Sequence, residues 1–191
     1  MQLEVSKSTD KELSFAASGV SVALMNALRR LAMSSLPVFG IDKVTFYEND
    51  TSLFDEYVAN RIGLVPIKTP EGYKAGESVL FSLDKSTAGT VHSKALKSSD
   101  AKVAVANNDI PIIKLSEGQQ LRLEAQARLG TAKEHARFQP GLIAYGKEGD
   151  EFAVTVESFG QMKAKEMVVR AAEMIEEKLG ELKEAVKKEK E

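Results

Sequence analysis

The pattern that most limits what this chain can fold into lies near its end. From roughly Lys163 to Lys188, Ala164, Val168, Ala171, Ile175, Leu179, Leu182 and Val186 recur at helical spacing among Glu and Lys residues. This predicts one long amphipathic helix. At 1.5 Å per residue it makes about seven turns, more apolar length than one small sheet covers. Either a partner helix meets the remainder, or the helix lies wholly on its own sheet with a frayed end; the pattern leaves both open. The final KKEKE reads as a solvated tail.

The rest of the sequence changes texture twice. Leu3 and Val5, then Leu13 and Phe15, alternate with polar residues on either side of the polar stretch Ser6 to Lys11, which predicts a β-hairpin. From about Val20 to Ser35 the period becomes helical, with Val20, Leu24, Leu28, Leu31 and Ser35 on one stripe, and Pro37 stops it. Val38 to Glu48 return to a strand pattern. A shorter helix is expected from Phe54 to Ile62, with Ser52 as its cap and Asp55 favourable in the first turn. Beyond Gly63 come short strand patterns: Val79 to Leu83, Lys102 to Ala106, Ile110 to Leu115, and above all Gln120 to Leu129, where Leu121, Leu123, Ala125, Ala127 and Leu129 alternate with polar side chains. The loop Thr69 to Gly76 leads into the first of these segments. Phe152, Val154 and Val156 mark a last strand before the long helix.

Composition narrows the chemistry. The 191 residues are 43% hydrophobic and 28% charged, enough for one or two packed domains. A formal charge of -2 lacks the excess of Lys and Arg by which a chain grips nucleic acid. There is no cysteine, which removes disulfides, thiolate zinc sites and iron-sulfur clusters. No signal peptide or membrane span is legible, so a cytoplasmic chain is expected. Gly141 to Lys147 matches the first seven positions of a phosphate-binding loop, but Glu148 stands where a magnesium-binding hydroxyl belongs, and a strand follows where a helix is needed. His92 and His135 are too far apart in sequence for a compact metal motif. No catalytic, cofactor-binding or metal-binding residue is predicted. The sequon Asn49-Asp50-Thr51 reads as a polar turn.

The polar side of the first helix is more informative. Rotation at 100° per residue carries Asn26, Arg29 and Arg30 away from the Leu24, Leu28, Leu31 stripe, with Met33 and Val22 among them. Two arginines, an asparagine and a methionine compose either a protein interface or an ordinary solvated face; the pattern fits both.

The string NALRRLAMSSLP, Asn26 to Pro37, resembles the signature helix of the α-type subunits of cellular RNA polymerases: the bacterial α amino-terminal domain, the archaeal D-type subunit and the eukaryotic third-largest-type subunit. YEND with DEYVANRIGLVPI (Asp55 to Ile67), GQQLRLEAQARLGTAKEHARFQP (Gly118 to Pro140) and FAVTVESFGQM (Phe152 to Met162) follow in the family's order, and ANRIGLVPI and AKEHARFQP resemble the archaeal and eukaryotic branch. The resemblance implies an α+β chain in which a dimerisation domain, residues 1–48 plus 151–191, is interrupted by a β-rich insert, residues 49–150. It implies that Leu24, Leu28, Leu31, Val168, Ala171, Ile175, Leu179 and Leu182 meet a small L-type partner. Asn26, Arg29, Arg30 and Met33 are implied to receive the second-largest catalytic subunit, with small N-type and P-type subunits joining the assembly. Arg61, Gly63, Leu64, Pro66, His135, Gln139 and Pro140 are further motif positions. The function implied is a non-catalytic assembly platform in transcription, with the active site on the large subunits and DNA met only through the whole complex.

Some archaeal D-type subunits carry an additional iron-sulfur domain before the closing strand. Here only GKEGDE separates Tyr145 from Phe152, so neither that domain nor its cofactor is expected. Two other functions compete. A nucleic-acid-binding or other interaction module outside the polymerase would use the modest patch Arg128, Lys133, His135, Arg137 and Phe138, diluted by Glu134. A stand-alone hydrolase or NTPase would need an active site that no motif supplies.

Overall fold

Alternation and helical periods sort the chain into ten strands and three α-helices across the described residues, 1–74 and 76–188 of a computed structural model. In chain order these are β1 (Gln2–Ser8), β2 (Glu12–Ser18), α1 (Val22–Ser34), β3 (Val38–Asn49), α2 (Asp55–Gly63) and β4 (Ser78–Lys85). Then come β5 (Gly89–His92), β6 (Lys97–Ser98), β7 (Pro111–Leu115), β8 (Leu121–Gly130), β9 (Gly141–Glu148), β10 (Glu151–Ser158) and α3 (Ala164–Lys188). Ala75 of the expected loop and residues 189–191 of the expected tail lie outside the described residues. No helix among the described residues is long and apolar enough to cross a membrane.

The chain divides into two units. The first takes residues 1–36, 140–158 and the chain from Lys163 onward. Its four antiparallel strands run in the order β1-β2-β10-β9. Leu13, Phe15 and Ala17 of β2 and Phe152, Val154 and Val156 of β10 are buried on one sheet face. α1 packs against α3 and β9, and α3 packs against β2 and β10. Met25 and Ala32 of α1 and Ala164, Met167 and Ala171 of α3 fill the space between. α1 starts where Ser21 Oγ accepts the Leu24 amide at 3.2 Å, an N-cap bond worth about 1 kcal/mol. The phosphate-loop lookalike is the hairpin β9–β10: Gly146 pairs with Ala153, and Gly149 supplies the left-handed turn at φ 58°.

The second unit takes residues 37–139 with 159–162. Its main sheet is β3-β8-β4-β6, and β5-β7 form a separate two-stranded sheet. β8 buries Leu121, Leu123, Ala125 and Ala127 as its alternation predicts. Phe39, Ile41, Val58, Ile62, Phe81 and Leu83 join them in one core. β3 belongs to this unit, whereas the expected boundary groups residues up to 48 with the chain ends; it is hydrogen-bonded to β8 from Val38 to Asn49.

Two local expectations change. Lys102 to Ala106 form no strand: Val103 is a buried plug, and only Val105 bridges, to Ile67. Ser52 does not cap α2, whose N-cap is Phe54 without a side-chain bond. The core-facing side of α1 runs through Met25 and Ala32, while Leu24 is exposed and Leu28 and Leu31 are only partly covered.

Candidate interaction surface

Because small or flexible residues take the inner side of α1 and α3, their larger aliphatic side chains are left along a groove in the first unit. Leu3 and Val5 of β1, Leu24 and Leu28 of α1, and Val168 and Ile175 of α3 line an open cavity of about 480 Å³. Its walls carry almost no polar group, and open apolar surface of this kind marks an interaction site. The stripe of α3 continues beyond it. Leu179 and Leu182 are each 60% exposed and Val186 52%, and every side chain from Glu176 to Lys188 is exposed. Ala171, expected on the partner-facing stripe, is fully covered within its own unit: it lies on the turn that packs inward with Ala164 and Met167, and forms no part of the open surface.

On the other side of α1, Arg29 Nη2 donates to Asn26 Oδ1 at 3.0 Å, which orients a half-buried guanidinium along the helix. Arg30 is exposed and Met33 half-buried. None of the four polar-face residues expected here is consumed by an ion pair among the described residues.

The motif positions of the second unit hold its fold. Phe138, in a 3-10 turn at Ala136–Phe138, is fully buried, and its ring fills the space left by two glycines on paired strands: a Cβ at Gly40 would come within 2.9 Å of it and one at Gly130 within 2.8 Å. Arg137 Nη1 donates to the Ile41 carbonyl at 2.5 Å and lies 3.9 Å from Asp42. His135 Nδ1 accepts from the Arg137 amide at 3.1 Å and from its Nε at 3.2 Å. A Cβ on Gly63 would stand 3.1 Å from Arg137 Nη1, so ANRIG and AKEHARFQP meet at one point. Arg61 Nη2 donates to the Pro111 carbonyl at 2.7 Å, the Pro66 carbonyl accepts the Ala106 amide at 2.8 Å, and the Gln139 amide donates to Ala136 at 3.0 Å. Leu64 is exposed; Pro140, which belongs to the first unit, is buried.

The same geometry takes apart the basic patch considered for nucleic acid. Arg128 donates to Asp42 at 2.8 Å and to Glu134 at 3.0 Å, with its guanidinium 4.9 Å above the Phe138 ring. Its acidic partners, Asp42 foremost, raise its already high pKa. The Thr131 amide, and then Arg128, hold the Glu134 carboxyl below its usual value. Both arginines and the aromatic ring are committed internally, and only Lys133 and His135 stay exposed without an ion pair among the described residues. Sequence reasoning missed this knot, since the only signal was one glycine inside a strand pattern and another just past the end of a second.

The chain is similar to known proteins along most of its length. The family model of the RNA polymerase Rpb3/RpoA insert domain matches residues 45–146. The DNA-directed RNA polymerase subunit Rpo3 of Pyrococcus horikoshii is 41% identical over 152 residues, covering 76% of this chain and 59% of that protein. The Methanocaldococcus jannaschii Rpo3 is 40% identical over 158 residues, covering 82% of this chain and 81% of its own. The Natronomonas pharaonis Rpo3 is 33% identical, with 93% of this chain and 94% of that one aligned. The chain thus spans about three fifths of the length of the Pyrococcus and Thermococcus relatives. An insert-domain match over more than half of its length, together with relatives aligned along most of both chains, establishes that this chain belongs to the Rpo3 family of DNA-directed RNA polymerase subunits.

Proposed function

We propose that the chain is a non-catalytic assembly subunit of a cytoplasmic RNA polymerase, and that its first unit is a dimerisation domain whose groove and α3 stripe receive a small L-type subunit. The observation that carries this is the open apolar surface from Leu24 and Leu28 to Leu179 and Leu182. The turns of α3 beyond Ile175 leave every side chain exposed, and their leucines favour a partner helix over a frayed end. On this reading Leu24, Leu28, Leu31, Val168, Ile175, Leu179 and Leu182 meet the L-type subunit. Asn26, Arg29, Arg30 and Met33 then face the second-largest catalytic subunit, with N-type and P-type subunits joining the platform, and nucleotide chemistry belongs to the large subunits. DNA is met only through the complete assembly.

Co-expression with an L-type subunit, followed by native mass spectrometry, tests the pairing. A one-to-one heterodimer is expected, and the chain alone should self-associate or precipitate at tens of micromolar. A monodisperse monomer indifferent to the L-type subunit would contradict the proposal.

A further inference from the structure

A second groove lies wholly within the second unit, between α2 and β7. It has a volume of about 390 Å³ and is lined by Leu53, Tyr57 and Arg61 on one side and by Pro111, Ile113 and Lys114 on the other. That volume is in the range of ordinary ligand sites. β7 has a strand partner on one side only, since its sheet is β5-β7. Its other edge runs along the groove, and at one end the Pro111 carbonyl is taken by Arg61 Nη2 at 2.7 Å instead of by a neighbouring strand. An unpaired strand edge is a template for an added strand. Arg61 spends one donor on that carbonyl and retains others for a carboxylate. Lys114 is exposed, and neither cation takes part in an ion pair among the described residues. No carboxylate lines the groove. Tyr57, Leu53 and Ile113 give it an apolar floor, and Tyr57 is 53% exposed.

We infer that this groove binds an extended, acidic peptide segment of a partner protein, which adds as a strand to the free edge of β7 and sets carboxylates against Arg61 and Lys114. Apolar side chains alternating with the acidic ones reach the floor, as the two-residue period of a strand requires. The groove uses none of the surface proposed for the L-type subunit, so either reading can fail alone.

The probe is a labelled peptide of alternating Val and Glu, titrated by fluorescence polarisation into the full chain at concentrations below its self-association, beside three controls. These are a Val and Lys peptide, the acidic peptide with alternate amides N-methylated on its pairing edge, and a thymidine oligonucleotide. Binding of the acidic peptide alone is expected, weakened by added salt and by at least about tenfold in Lys114→Glu. Lys114 is exposed and unpaired, so this variant should melt with the parent; Arg61→Ala gives a second reading in which loss of the Pro111 bond is monitored by melting. Equal binding of the Lys peptide or the methylated peptide, preference for the oligonucleotide, indifference to Lys114→Glu, or no binding of the acidic peptide would overturn the inference.

Discussion

The ring of Phe138 occupies the space a side chain at position 130 would need: a Cβ on Gly130 would meet three of its ring atoms at 2.8 Å. The neighbours on the paired strands leave no room for the ring to retreat, because Gly40 is as close on the other side. Gly130→Ala should therefore destabilise the second unit by about 1–3 kcal/mol through overpacking, and Phe138→Ala by about 3–5 kcal/mol through the cavity it leaves. Thermal or urea unfolding of each variant measures the loss. Equal stability of Gly130→Ala and parent would mean the ring moves aside freely.

Tyr73 and Asp100 give a pH signature. The Tyr73 hydroxyl donates to Asp100 Oδ2 at 2.6 Å, which pushes the tyrosine up to about 12 and, with the Lys102 amide, holds the carboxyl below its usual value. A tyrosine raised on folding contributes stability that is fully present below its unfolded value near 10 and is lost as pH rises through about 12. The depressed carboxyl contributes above its unfolded value and loses that contribution as pH falls through the lower folded one. Tyrosinate absorbance should show one of the four tyrosines titrating at about 12, and Tyr73→Phe should remove it. Stability of the variant should change less than that of the parent in both the acid and the alkaline window.

How much of this was legible follows from what sets each element. β8 shows a strict period of two, because one face is core and the other wet, and the structure buries the alternating residues accordingly. The length of α3 was equally plain. The phase of α1 was not: leucines and small residues spread round the helix, and the sheet below accepts Met25 and Ala32, which the leucine stripe hides. Val103 and Val105 resemble a strand in sequence but act as plug and bridge, since their roles depend on distant residues. The Phe138 lock is invisible for the same reason. The motif residues His135 and Arg137 show their work only once Ile41 and Gly63 stand beside them.

The polar face of α1 yields a separation of folding from assembly. Arg29 and Arg30 make no ion pair among the described residues, so Arg29→Ala with Arg30→Ala should alter stability by less than about 1 kcal/mol. Docking of the second-largest subunit should weaken by about 2 kcal/mol or more, roughly thirtyfold. Size-exclusion chromatography should then show the double variant still paired with the L-type subunit but no longer carrying the large one, with circular dichroism unchanged. Loss of the L-type subunit would make the arginines structural.

The pairing surface itself is tested most directly by amide hydrogen exchange along α3. From Glu176 to Lys188 every side chain is exposed, so these amides should exchange readily in the unpaired chain held dilute enough not to self-associate. In the heterodimer with an L-type subunit, exchange over the segment containing Leu179, Leu182 and Val186 should slow by on the order of tenfold or more, while β8 is unaffected. The same exchange of that segment in the paired and unpaired chain would contradict the assignment of the α3 stripe to a partner.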